Sequence, residues 1–100
     1  MYKPKFSKKG EADYNHWLEN NPAIAERIDE LIADMSAHPF EGKGKPERLK
    51  GNLRGFWSRR ITRQHRITYT VKGNLVIIVR CLAHYERKKS QFKIRIAERF

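Results

Sequence analysis

The sequence predicts an α+β fold: an N-terminal antiparallel helix hairpin packed on one face of a small, mainly antiparallel, twisted β-sheet. Three observations predict it. Residues 8–37 hold two windows of apolar residues at helical spacing. Residues 55–82 hold three runs of strand-like alternation. The links between neighbours are two or three residues long, which suits hairpins. Helices first and strands after is the α+β order, with the helices on one side of the sheet. At 100 residues the chain has apolar surface for one core and one domain.

Each element has its own signal. Residues 2–6 read as a short strand with Tyr2 and Phe6 on one face, and Pro4 favours an edge position. Ser7 suits the N-cap of a helix over 8–20, in which Tyr14, Trp17 and Leu18 form the apolar stripe and Gly10 costs stability. Asn21 at the N-cap and Pro22 at the first helical position start a second helix. Its apolar face is Ile24, Ile28, Leu31, Ile32 and Met35, with Glu26, Asp29, Glu30 and Asp34 off it. His38-Pro39 ends it. Residues 39–46, PFEGKGKP, are turn-rich and read as a loop, and 47–54 as a short helical turn. Then come GFWSRRIT at 55–62, HRITYTV at 65–71 and NLVIIVRCL at 74–82. The last is apolar on both faces and therefore internal to the sheet. Trp57 and Tyr69 read as packing residues.

The charge is uneven. Lys and Arg total 22 against 11 Asp and Glu, for a net charge of +11. The acids concentrate in residues 10–41, which places an acidic surface on the two helices. Residues 42–100 hold 17 bases against three acids. A basic surface of this size attracts polyanions, phosphate backbones first; it reads alternatively as a solvated face kept for solubility. A basic membrane-surface helix does not fit, because the cations fall in strand-like segments. No run of 18 apolar residues is present, and the basic N-terminus has no apolar stretch behind it to make a secretory signal. The single cysteine, Cys81, allows no internal disulfide and suits a reducing cytoplasm. The scattered histidines show no zinc spacing.

Alternation puts Arg60 and Arg66 on the less apolar faces of adjacent strands. Two guanidinium forks so close repel unless an anion lies between them, and they suit a phosphate; they read equally as solvated surface arginines. Glu47 is the only acid between Glu41 and Glu86, with Lys43, Lys45, Arg48 and Lys50 around it. A carboxylate in such a field stays ionised and can act as a general base, or simply balance charge. His84 and Tyr85 follow the last strand; a His can protonate a leaving oxygen and a Tyr can stack on a base or orient a phosphate. A Glu, an Arg and a His on one basic sheet face are the parts of a metal-free ribonuclease.

The segment 39–71, with its FEGKGKPE stretch, GFWSRRIT strand and HR pair, resembles the YoeB/Txe family of toxins, within the RelE-like group of bacterial type II toxin–antitoxin systems. His84-Tyr85 and the helix hairpin with Asp13-Tyr14 and Trp17 fit as well. The resemblance covers about residues 1–85. It implies a RelE-like, microbial-ribonuclease-like fold and a cytoplasmic, metal-independent endoribonuclease that cuts mRNA on the translating ribosome. By the match Glu47 is the general base, Arg66 stabilises the transition state, His84 is the general acid and Tyr85 positions substrate or leaving group. Lys50 and Arg60, with Lys43 and Lys45, contact phosphate. The implied products are a 2′,3′-cyclic phosphate and a 5′-hydroxyl, with no cofactor and no metal. The implied partners are the ribosome with its mRNA, an acidic antitoxin of the YefM/Axe kind and a second copy of the chain, with no membrane. Two other readings compete: a ParE-like toxin acting on DNA gyrase, and a non-enzymatic RNA- or ribosome-binding module. The chain departs from the family in continuing for 15 residues after Tyr85, where Phe92, Ile94 and Ile96 alternate with Lys93 and Arg95 like a strand. Residues 86–100 read as an added strand of the sheet, a segment that pairs with another subunit, a cover over the site or a disordered basic tail, and the hypothesis is that this extension modulates substrate or ribosome access.

Overall fold

The computed structural model describes residues 1–84, with side chains through Leu82. Tyr85 and the 86–100 extension lie outside the described residues. The elements are β1 (Lys3–Phe6), α1 (Lys8–Asn20), α2 (Pro22–Ala37), β2 (Glu47–Arg48), a 3₁₀ turn (Gly51–Leu53), β3 (Phe56–Arg60), β4 (His65–Lys72) and β5 (Leu75–His84). The five strands form one sheet in the order β1-β5-β4-β3-β2. The β3–β4–β5 meander is antiparallel, and β1 joins β5 in parallel at the edge. Strand β5 is internal, as its two apolar faces require. The two-residue β2 replaces the start of the helical turn expected at 47–54; it pairs Glu47 with Ser58 and Arg48 with Trp57.

The core lies between the helix hairpin and one sheet face. Ala25, Ile28, Leu31 and Met35 of α2 are fully or almost fully buried with Ile67, Tyr69, Val76, Ile78 and Cys81. Ile24 and Ile32 flank them, so the apolar face of α2 is the expected one. Asn21 holds the N-cap position of α2 but makes no side-chain cap hydrogen bond. Its backbone N–H instead donates to Trp17 O at 2.7 Å and closes α1, so one residue ends one helix and starts the next.

Helix α1 departs further from its expected stripe. Leu18 is 48 % exposed, and the buried positions are Gly10, Asp13 and Trp17. The reason is what α1 docks against. Strand β1 ends at Phe6, opposite Ile78, and leaves the rest of the β5 edge uncovered. The start of α1 and its side chains take over that edge. Ser7 N–H donates to Ile78 O at 2.9 Å, and Ser7 Oγ, while capping α1 at Gly10 N–H, donates to Val79 O at 3.1 Å. Asp13 accepts from Cys81 N–H at 3.0 Å, and Trp17 Nε1 donates to Cys81 O at 2.8 Å. Backbone groups that a sixth strand would have satisfied are satisfied by a helix.

Two acids therefore leave the acidic helix surface that composition suggests. Asp13 pairs with the buried Arg80 at 2.7 Å, and Asp34 with the buried Arg59 at 2.7 Å. On the outer side of the hairpin Tyr14 donates to Asp29 at 2.7 Å, and this bond pushes the phenol's pKa up to about 12.

Gly10 also takes a different meaning. A Cβ there would lie 2.3 Å from Ile78 O, a backbone atom of the strand that α1 rests on. Gly10→Ala is expected to shift the urea midpoint downwards: overpacking costs about 1–3 kcal/mol, more than the roughly 1 kcal/mol of helix propensity gained. An unchanged or higher midpoint would show that α1 can lift off β5 without loss.

Candidate active site

The face of the sheet away from the helices collects the polar side chains. Pairing arranges them in two rows. Glu47 stands opposite Ser58, Ser58 opposite Thr68, and Thr68 opposite Arg80. One step along, Arg60 stands opposite Arg66, and Arg66 opposite Ala83. Directly opposed Cβ atoms lie roughly 4.5–5.5 Å apart, so each row is a line of neighbours. The rows meet at an open depression of about 240 Å³, lined by Lys45, Pro46, Glu47, Ser58, Arg60 and Arg66.

Strand β5 reaches these rows through two irregularities. Tyr69 pairs with Ile78, Thr68 with Arg80 and Arg66 with Ala83, so three steps on β4 match five on β5. The two extra residues reset the alternation. Val76 and Ile78 are core residues, and strict alternation would put Arg80 with them. The shift instead pairs Arg80 with Thr68 and returns Cys81 to the core.

The structure brings four of the sequence-derived candidates, Lys45, Glu47, Arg60 and Arg66, to the depression. Arg66 is 8 % exposed at its floor, while Glu47 and Arg60 are exposed on the rim. His84 ends β5 one residue beyond the Arg66–Ala83 pair, its backbone in register with His65. Tyr85 lies outside the described residues. Lys50, which precedes the 3₁₀ turn, and Lys43, in the loop after α2, are not among the lining residues. Ser58 and Pro46 line the depression and carried no functional signal in the sequence, although alternation does place Ser58 on the same face as Arg60.

The loop between α2 and β2 is wound around one guanidinium. Arg59 is fully buried, and all five of its N–H groups find acceptors. Nε donates to Tyr69 Oη at 3.0 Å, Nη1 to Asp34 Oδ2 at 2.7 Å and Lys43 O at 3.1 Å, and Nη2 to His38 O at 2.6 Å and Glu41 O at 2.9 Å. The Tyr69 hydroxyl in turn donates a hydrogen bond to Pro39 O at 2.8 Å. Asp34 also accepts from Lys43 N–H at 2.9 Å, and these two donors, the backbone one first, hold its carboxyl below the usual carboxylate range.

Chemically, the depression offers one carboxylate beside two guanidinium groups and an ammonium. The arginines can hold a phosphate by paired hydrogen bonds, and the one on the floor acts where water screens it least. The carboxylate can take a proton from a group on that phosphate's sugar. Cys81 offers no nucleophile: it is buried in the core, and burial pushes its thiol pKa up.

Comparison with known proteins places the chain in a family. Residues 6–85 match the family described as the YoeB-like toxin of the bacterial type II toxin–antitoxin system. The toxin YoeB of Escherichia coli (strain K12) is 53 % identical over 73 residues, which cover 73 % of this chain and 87 % of that protein. The YoeB–YefM complex from Staphylococcus aureus superimposes with a TM-score of 0.77 at 40 % identity, covering 85 % of this chain and 99 % of that one. The YoeB dimer from Staphylococcus aureus gives a TM-score of 0.77 at 39 % identity, covering 84 % of this chain and 98 % of that one. With the family match spanning both helices and strands β2 to β5, the chain belongs to the YoeB-like toxins of bacterial type II toxin–antitoxin systems.

Proposed function

We propose that this toxin is a metal-independent endoribonuclease that cuts mRNA on the translating ribosome. The observation that carries the reading is the depression in which Glu47 shares one surface with Arg60 and Arg66. In the proposed reaction the Glu47 carboxylate takes the proton of a ribose 2′-hydroxyl. The resulting oxygen nucleophile attacks the adjacent phosphorus, and Arg66 stabilises the extra negative charge on the phosphorane. His84 gives its proton to the leaving 5′-oxygen, and Tyr85 orients that end. The strand leaves a 2′,3′-cyclic phosphate and a 5′-hydroxyl. Arg60, Lys45, Lys43 and Lys50 hold neighbouring phosphates. The proposed partners are the ribosome with its mRNA, an acidic antitoxin whose charge complements +11, and a second copy of the chain. The proposed location is the cytoplasm; no helix of the described residues is long and apolar enough to cross a membrane.

The test is cleavage of an mRNA on purified translating ribosomes, wild type beside His84→Gln, with analysis of the new RNA ends. Cyclic-phosphate ends from the wild type alone are expected. Cleavage at the normal rate by His84→Gln would remove His84 as the acid. No cleavage by either protein, with ribosome binding intact, would favour a binding module.

A further inference from the structure

We propose that Arg59 is a positioning residue, which sets the path of the 38–45 loop and so fixes Lys45 where it meets an RNA phosphate. The proposal rests on the ribonuclease reading above. Arg59 is fully buried and cannot itself touch RNA. Its five hydrogen bonds are spent on the loop carbonyls of His38, Glu41 and Lys43, on Asp34 and on Tyr69, which in turn holds Pro39. The loop is thus shaped around a planar fork that no other side chain reproduces.

What the fork shapes is the approach to the depression. Gly44 runs at φ +80, and a Cβ there would meet Leu31 Cδ2 at 2.9 Å and Arg59 Cβ at 3.1 Å. Its carbonyl accepts from Arg60 N–H at 2.7 Å, which ties the loop to the strand that carries Arg60. The next residue, Lys45, has φ 52, the one left-handed non-glycine backbone among the described residues. A lysine gains nothing locally from that conformation, which costs on the order of 1–3 kcal/mol and persists only where its surroundings impose it. Lys45 is also a lining residue of the depression. A strained backbone, a saturated clamp behind it and a cation in front of it together point to placement of the Lys45 ammonium.

The experiment uses the full chain and a 2′-O-methyl RNA oligonucleotide, which lacks the attacking hydroxyl and so reports binding alone. Its Kd is measured as a function of salt for wild type, Lys45→Gly, Arg59→Lys and the double variant. Glycine keeps the left-handed backbone and removes the side chain with its ammonium, so Lys45→Gly is expected to make the log–log salt slope shallower by about 0.7, one single-strand phosphate. Arg59→Lys is expected to lose the same amount, although no surface charge changes. The double variant is expected to lose no more than either single one, because both act through one contact. Arg59→Lys that is folded by circular dichroism and keeps the wild-type slope would overturn the proposal, as would additive losses in the double variant. If Arg59→Lys does not fold, Asp34→Ala carries the same test. It removes Oδ2, the one oxygen that accepts from both Arg59 Nη1 and Lys43 N–H, so it loosens the loop with Arg59 in place, and an unchanged slope there overturns the proposal equally. Failure of the ribonuclease reading looks different: wild type then binds the oligonucleotide with its full salt slope but leaves no cyclic-phosphate ends on translated mRNA.

Discussion

Asp13→Ala is expected to destabilise the chain by about 3–5 kcal/mol, the cost of leaving one partner of a buried ion pair uncompensated. The carboxylate does three jobs. Its Oδ2 accepts from Arg80 Nε at 2.7 Å and from Cys81 N–H at 3.0 Å, and its Oδ1 accepts from Arg80 Nη2 at 3.3 Å. Both side chains are about nine-tenths buried, so water cannot take over these bonds at the surface price. Without Asp13, α1 loses a main attachment to the β5 edge, and Arg80 is left as a buried cation. Small domains hold only about 5–15 kcal/mol in total, so the loss is visible in any urea titration. The pair itself is a different matter from its breakage. Replacing both partners by apolar residues, as in Asp13→Ala with Arg80→Met, is expected to recover much of the loss, because the desolvation cost of both ions disappears with them. A single-variant loss below about 1 kcal/mol would show that the pair is solvated and that α1 is held by Trp17 and the core instead.

The places where the sequence was and was not legible follow from the same physics. Helix α2 was legible because Ile24, Ile28, Leu31, Ile32 and Met35 face a purely apolar core, where periodicity is the whole signal. Helix α1 was legible in its bounds, its Ser7 cap and the packing of Tyr14 and Trp17, but not in its full docking face, because Ser7, Asp13 and the indole N–H of Trp17 attach it to β5 through polar groups that apolar periodicity does not show, and Leu18 is left exposed. Buried Arg59 and Arg80 were hidden for a related reason: an arginine is by default a surface residue, and only its partners reveal otherwise. In the site, Arg60 opposite Arg66 could be read from alternation on the two arms of one short hairpin. The placement of Glu47 could not, since β2 is two residues long, too short for alternation to show, and is placed only by its pairing with Ser58 and Trp57. The end of β5 was beyond alternation altogether, because two extra residues between Ile78 and Ala83 change which side chains share a face.

The largest expected effect on activity is that of Arg66→Ala: a fall in the cleavage rate of about 10²–10³-fold, the scale of one preorganised donor to a developing anion. Position separates Arg66 from the other cations. Arg60 and Lys45 are exposed on the rim, where salt and water screen them, so removing either should weaken RNA binding and flatten its salt dependence. Arg66 sits at the floor, 8 % exposed, between Arg60 on β3 and Ala83 on β5. Its charge is felt most by what develops directly above it, which in the proposed reaction is the phosphorane. Single-turnover cleavage on programmed ribosomes should therefore show the rate constant falling at saturating toxin, with the half-saturating concentration little changed. Arg66→Lys is expected to fall between the two, since it keeps the cation and loses the fork. Because Arg66 is buried in a central strand, thermal unfolding of both variants has to accompany the kinetics, and Arg66→Lys guards against reading a folding defect as lost chemistry. A change confined to half-saturation would make Arg66 a ground-state phosphate contact, and transition-state stabilisation would then have to come from elsewhere on the face.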